Sequence, residues 1–182
     1  TNGLLKILNT MTGFQEQLVC VDEYLELRRC LMKTVLLHGL GQTAQDWKEV
    51  VQQLSISDVD CPELFSSAED EISYSQILGD LEQRYSEVKE PLRICGLSLG
   101  ALLAIDFAIR HEEKVASLVL IGAQYKVPSL LIDFQNLIFR CMPNKVFESM
   151  GLPKSSTIKL AHSMRSLDFT LQLNNIRCPV TV

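Results

Sequence analysis

The sequence predicts an α/β fold: a mostly parallel sheet with helices on both faces. Short apolar runs typical of buried strands occur at 34–37, 92–95 and 115–122. Helical patterns lie between them, and this alternation is typical of parallel sheets. The 182 residues, 47% apolar and 21% charged, suit one ordinary globular domain with a substantial core.

Composition narrows the function classes. The net charge of −5, without a basic cluster, argues against nucleic acid or an anionic membrane surface as the main partner. The six cysteines are scattered and form no C-x-x-C pair, which favours a reduced cytoplasmic protein over a disulfide framework or a metal site. No apolar stretch reaches membrane-spanning length, and the first residues lack a signal-peptide pattern. We expect a cytoplasmic protein that needs no metal or cofactor.

Residues 1–31 predict a helical extension whose function the sequence does not indicate. Residues 12–15 have the spacing of a capping box, and apolar residues then recur at helical intervals: Phe14, Leu18, Val21 and Leu25. Residues 32–182 are expected to form the core of the fold.

The core begins with a buried strand, Thr34–Leu37, that leads into the glycine-rich loop His38-Gly39-Leu40-Gly41. We expect His38 to brace this loop through hydrogen bonds. The backbone N–H near Leu40 is the loop's expected contribution to chemistry. A helix after Asp46-Trp47, a short strand within 56–62 and a helix that starts near Ser73 should follow.

The central feature is the stretch Gly96-Leu97-Ser98-Leu99-Gly100, which separates an apolar strand from an Ala/Leu-rich helix. A strand that reverses directly into a helix brings two backbone segments close together, so Gly96 and Gly100 fit beside the turn. Ser98 at the apex is expected in a strained conformation that exposes its hydroxyl. The helix N-terminus behind it would favour an oxyanion.

These two motifs, in this order, resemble those of the α/β-hydrolase superfamily from about Met32 onward. The resemblance implies that Ser98 is the nucleophile and that the amides of Leu40 and Leu99 form the oxyanion hole. The supporting loop positions are His38, Gly39, Gly41, Gly96 and Gly100.

Residues 124–170, interrupted by prolines, occupy the place where the family often carries a helical cap. The cap's apolar residues are then expected to line an acyl pocket or, alternatively, to pack the cap onto the sheet: Phe134, Leu137, Ile138, Met142, Phe147 and Met150. We assign His162 to the cap and His111 to a solvated turn.

Residues 176–182 predict one more buried strand, where the sequence stops. The resemblance implies an acid after this strand and a histidine after the next, and neither position falls within the 182 residues. We therefore expect a site that holds the nucleophile but lacks the proton-transfer residues. The apolar strand edge, or the N-terminal helix, predicts self-association.

Three functions follow. The first is hydrolysis of a small-molecule ester or related acyl bond, with the triad completed by residues not present here. The second is a catalytically incomplete binding module of the same fold. The third is an elimination-type synthase, because the position of Asp46-Trp47 after the His-Gly loop is similar to that in the menaquinone-pathway synthase branch of the family. That branch usually has a basic residue just after the serine turn, where this sequence has Ala101-Leu102, and this difference weakens the synthase hypothesis.

Overall fold

A computed structural model describes residues 32–53, 58–65, 72–148 and 152–182. Lys33–Val182 form one compact unit. The helix predicted within residues 1–31 lies outside the described residues.

Five strands form one sheet in the order β2-β1-β3-β4-β5, and every neighbouring pair is parallel. The strands are β1 (Thr34–Leu37), β2 (Val59–Asp60), β3 (Leu92–Leu97), β4 (Val115–Ile121) and β5 (Val180–Thr181). The predicted parallel α/β sheet is therefore confirmed.

Six α-helices occur in the described part of the chain: α1 (Lys48–Gln53), α2 (Tyr74–Arg84), α3 (Leu99–Arg110), α4 (Ser129–Cys141), α5 (Asn144–Glu148) and α6 (Lys154–Ser163). Short 3-10 helices precede α1 at Ala44–Trp47 and β4 at Glu112–Lys114, and a third lies at Leu173–Asn175. Helix α2 begins where the sequence predicts, because the Ser73 hydroxyl accepts a hydrogen bond from the Gln76 N–H.

Helix α3 is the centre of the core. Every residue from Leu99 to Ala108 is buried, which explains why this helix is rich in alanine and leucine. Its one buried charge, Asp106, accepts hydrogen bonds from Arg110 Nε at 2.8 Å and from the Tyr74 hydroxyl at 3.2 Å. Burial, together with Asp106, raises the pKa of Tyr74 far above its ordinary value, so the hydroxyl stays protonated and fastens α2 to α3.

The strand order creates a crevice beside the centre of the sheet. From β1 the chain moves outward to β2 and then returns to β3 on the other side of β1. The loops that follow β1 and β3 therefore leave in opposite directions, and such a switch point is where open α/β sheets bind ligands. Leu37 pairs with Gly96, so residues 38–41 and Ser98 emerge at the same edge.

No helix among the described residues is both long enough and apolar enough to cross a membrane.

Candidate active site

Ser98 lies at the apex of a strained turn between β3 and α3. Its φ of 53° and ψ of −108° fall in a region that a residue with a side chain rarely adopts. The turn is held by the Ser98 N–H, which donates to the Ile121 carbonyl at 2.9 Å, and by the N–H groups of Ala101 and Leu102, which donate to the Ser98 carbonyl. The Ser98 side chain is exposed at the carboxyl edge of the sheet.

Two glycines make this turn sterically feasible. A Cβ atom at Gly96 would overlap the Gly100 carbonyl, and one at Gly100 would overlap the backbone of Leu37 in β1. Neither obstacle is a flexible side chain, so the backbone itself would have to move. Both positions therefore require glycine because the neighbouring backbone leaves no room for a Cβ atom, as the sequence motif predicted.

The loop after β1 lies directly against the turn at Ser98, which we call the elbow. A Cβ atom built on Gly39 would lie 3.3 Å from the Leu97 carbonyl oxygen and 3.5 Å from Ser98 Cβ. The Gly39 N–H donates to Gln42 Oε1 at 2.9 Å, and Gly41 has a φ of 83°. Gln42 therefore fixes the loop, a role that the sequence pattern did not reveal because it depends on the loop's conformation.

His38 is fully buried, and both of its ring nitrogens have local partners. Nε2 accepts a hydrogen bond from the Leu64 N–H at 3.1 Å. These contacts assign the proton of the neutral ring to Nδ1, which then donates to the Gly39 carbonyl at 3.0 Å. Glu63 Oε1 also lies 3.1 Å from Nε2, and the ring meets Phe65 edge-on. The geometry is that of a brace between the β1 loop and residues 63–65.

Ser98, Leu40 and Leu99 line one cavity of about 170 Å³. Among the described residues, neither the Leu40 N–H nor the Leu99 N–H has a hydrogen-bond acceptor. The Leu99 N–H also belongs to the first turn of α3, where the helix dipole favours negative charge. The structure thus brings together an exposed hydroxyl and two unpaired backbone donors.

The rest of the cavity wall comes from α3, from the segment after β4 and from the cap. These lining residues are Leu102, Gly122, Gln124, Val127, Leu131, Ile132, Gln135 and Met164. Within the described part of the chain, the lining includes no histidine and no carboxylate. His111 Nε2 instead lies 3.1 Å from Glu82 Oε1, and His162 is exposed on α6.

Phe134, Leu137 and Ile138 of α4 fulfil neither prediction, because none of them lines this cavity and all three are exposed rather than packed against the sheet. Leu131 and Gln135, one turn apart on the same helix, face the cavity instead. Phe147 is buried away from this cavity, Met142 is half-buried outside it, and Met150 lies outside the described residues.

The two ends of the segment 124–170, for which the sequence predicts a cap, are tied together. The Val127 N–H donates to the Leu167 carbonyl, and the Phe169 N–H donates to the Tyr125 carbonyl, each at 2.8 Å. Lys126 Nζ lies 2.8 Å from Asp168 Oδ2 across the same bridge. Val127, a member of the cavity wall, is thereby tied to Leu167 at the other end of this segment.

The strand that leads to Ser98 also carries a cysteine. Burial raises the pKa of the Cys95 thiol in β3, so this cysteine is a weak nucleophile. In the described ranges, no group of three or more His, Cys, Asp or Glu side chains is arranged to hold a metal ion.

The parallel sheet, the elbow at Ser98 and the glycine-rich loop after β1 define an α/β-hydrolase, as the resemblance of the sequence implied. The sequence profile of the serine aminopeptidase S33 family matches residues 69–173, more than half of the chain, and the chain belongs to this family.

Curated relatives cover a shorter stretch. The chain is 36% identical over 89 residues to the pimeloyl-[acyl-carrier protein] methyl ester esterase of Aromatoleum aromaticum, covering 48% of this chain and 36% of the relative. It is 35% identical over 94 residues to the protein of the same name from Edwardsiella ictaluri, covering 49% and 35%. The chain thus spans about a third of the length of these relatives.

Among solved structures, the enol-lactonase from Burkholderia xenovorans LB400 is similar, with a TM-score of 0.68 and 16% identity over 82% of this chain and 70% of that one. At this identity the likeness shows the fold alone.

Proposed function

We propose that this protein hydrolyses a carboxylic ester or a related acyl bond, with Ser98 as the nucleophile. The observation that carries the proposal is the cavity that Ser98 lines together with Leu40 and Leu99, whose backbone N–H groups have no acceptor among the described residues. The relatives named as methyl ester esterases support an ester as the scissile group. Supporting roles go to Gly39, Gly41, Gly96, Gly100 and His38.

The proposed reaction has two acyl-transfer steps. The Ser98 hydroxyl oxygen attacks the ester carbonyl, and the negative oxygen that forms accepts hydrogen bonds from Leu40 N–H and Leu99 N–H. The bond to the alcohol breaks, and the alcohol leaves with a proton. Water then attacks the acyl-serine, releases the carboxylic acid and returns the proton to Ser98.

The proposal assigns the general base to a group other than the three histidines of the chain. His38 bonds through its two ring nitrogens to Gly39 and Leu64, His111 lies against Glu82, and His162 is exposed on α6. The cavity lining contributed by the described residues holds no such base, and general-base catalysis contributes about 10²–10⁴-fold to the rate. Added imidazole should then substitute for the base.

The test is active-site labelling with a small alkyl fluorophosphonate, followed by peptide mass spectrometry. We expect one adduct, at Ser98, that is absent from the Ser98→Ala variant, and labelling at least about tenfold faster with imidazole present. An adduct at another residue, or no adduct on the folded protein even with imidazole, would overturn the proposal and favour a binding module. An imidazole-independent rate would place an effective base within the chain.

The proposed substrate is a small ester, and methyl esters are the first class to assay because the relatives' name specifies one. We also propose a cytoplasmic location, which is supported by four free cysteines among the described residues: Cys61, Cys95, Cys141 and Cys178.

We further propose that the protein associates with a second copy of itself through the surface of β4 and β5. Val119 and Ile121 are exposed on one face of β4, whereas the pairing of Leu118 with Val180 places Val180 on the opposite face, in the edge strand β5. An exposed apolar face and an apolar edge strand both favour contact with another chain.

A further inference from the structure

Gln135 is a polar group that the proposed chemistry does not use. It lies on the cavity-facing side of α4, one turn beyond Leu131, and its side chain is half-buried. Among the described residues its amide has no hydrogen-bond partner. An amide of this exposure is reached by water, so a ligand group that bonds to it replaces a water molecule for a modest net gain in affinity.

A second amide lines the same cavity. Gln124 follows β4, and its side chain is exposed and also lacks a hydrogen-bond partner within the described ranges. In the cavity wall the two glutamines and Ser98 accompany apolar side chains such as Leu102, Val127 and Met164, so the wall is about as polar as it is apolar. Polar groups placed in a pocket fix the orientation of a ligand.

The cavity also limits the size and charge of the acyl group. Its volume of about 170 Å³ is close to that of an enclosed engineered cavity of about 150 Å³ that binds benzene, so about six non-hydrogen atoms fill it, while the cavity itself is open to solvent at Ser98 and Gln124. None of the described residues in its wall carries a charge, so a carboxylate on the acyl group would lose hydration without gaining a counter-ion.

We propose that Gln135 is a specificity-determining residue that selects an uncharged acyl group of about six non-hydrogen atoms bearing a hydroxyl or carbonyl group. The glutamine amide can donate to or accept from such a group, with Gln124 as a second partner at the rim. This inference rests on the proposed function for the identity of the ligand as an ester. It concerns binding alone and is therefore tested without turnover.

The experiment is an NMR titration of ¹⁵N-labelled Ser98→Ala protein, in which esters bind but cannot be cleaved by Ser98. The probes are methyl 3-hydroxybutyrate, methyl butyrate, monomethyl malonate and methyl octanoate. We expect the hydroxybutyrate to bind about fivefold more tightly than the butyrate, as one neutral hydrogen bond allows, and to shift the Gln135 side-chain amide signals. The malonate and the octanoate should bind more weakly than either.

Two variants in the same background complete the test. Gln135→Leu removes the amide at similar volume and should make hydroxybutyrate and butyrate bind equally. Gln83→Leu, on the exposed face of α2, should leave the fivefold preference intact. Equal binding of the two esters before mutation, a preference that survives Gln135→Leu, or tightest binding of the malonate or octanoate would overturn the inference. Failure of Ser98 labelling would instead overturn only the hydrolase proposal.

Discussion

At the scale of single residues, Ser98 is held in a conformation that its own side chain disfavours. A non-glycine residue in a sparsely populated region of this kind costs on the order of 1–3 kcal/mol, and the surrounding structure must offset that cost. Gly96 and Gly100 make this possible because they let β3, α3 and β1 approach until no room remains for a Cβ atom.

We therefore predict that Gly100→Ala lowers the free energy of unfolding by more than about 3 kcal/mol, because the new Cβ would overlap the Leu37 backbone. Gly79→Ala is the matched control: Gly79 lies within α2 with nothing within 4 Å of its Cβ position, so alanine should stabilise the protein by about 0.5–1 kcal/mol. Urea denaturation followed by circular dichroism measures both. Similar stabilities for the two variants would contradict this account of the elbow.

Residue by residue, the sequence predicts those parts of the site that are local in the chain. The strand, the serine and its flanking glycines fall within nine residues, and their spacing alone implies close backbone contact. Gln42 and Gln135 were not predicted, because a glutamine's role depends on which partner the folded chain brings near it. Gln42 caps the Gly39 N–H, whereas Gln135 reaches the cavity from a helix 37 residues beyond Ser98.

At the scale of elements, the cap helix α4 shows where pattern reading fails. Its apolar residues form a stripe that includes Leu130, Phe134, Leu137 and Ile138, opposite the polar residues Ser129, Asp133, Asn136 and Arg140. Such a stripe predicts burial of its apolar side, but these four apolar residues are exposed and Asn136 is buried instead. The packing buries Ile132 and Asn136, turns Leu131 and Gln135 to the cavity, and leaves Phe134 and Ile138 in solvent.

This orientation predicts unequal effects for two identical substitutions on α4. Ile132 is 4% exposed and Ile138 is 44% exposed. Ile132→Ala should lower the free energy of unfolding by about 2–4 kcal/mol through lost burial and a cavity, whereas Ile138→Ala should change it by less than about 1 kcal/mol. Thermal or urea denaturation of the two variants measures both free energies of unfolding. Equal losses of stability would mean that α4 is rotated so that Ile132 and Ile138 are equally buried.

At the scale of the whole molecule, chain order explains most of the architecture. Successive strands separated by helices favour a parallel sheet, and the two loops with unusual residues follow β1 and β3, which are neighbours in space. The sequence therefore predicts that these two loops meet at a switch point of the sheet. The shape of the cavity is not, because its walls come from α3, the segment after β4 and the cap, and their relative placement is set by packing.

The same sheet leaves Val119 and Ile121 exposed on one face of β4, and this face is tested first for the proposed self-association. Val119 on β4 and Val50 on α1 are both 40% exposed, so they allow a matched comparison. Sedimentation equilibrium should show a concentration-dependent dimer. Val119→Lys should weaken the dimer at least about tenfold, since a charge buried in an apolar interface must be desolvated, whereas Val50→Lys should leave it unchanged. A protein that stays monomeric at high concentration, or equal effects of the two lysines, would exclude this surface as the interface.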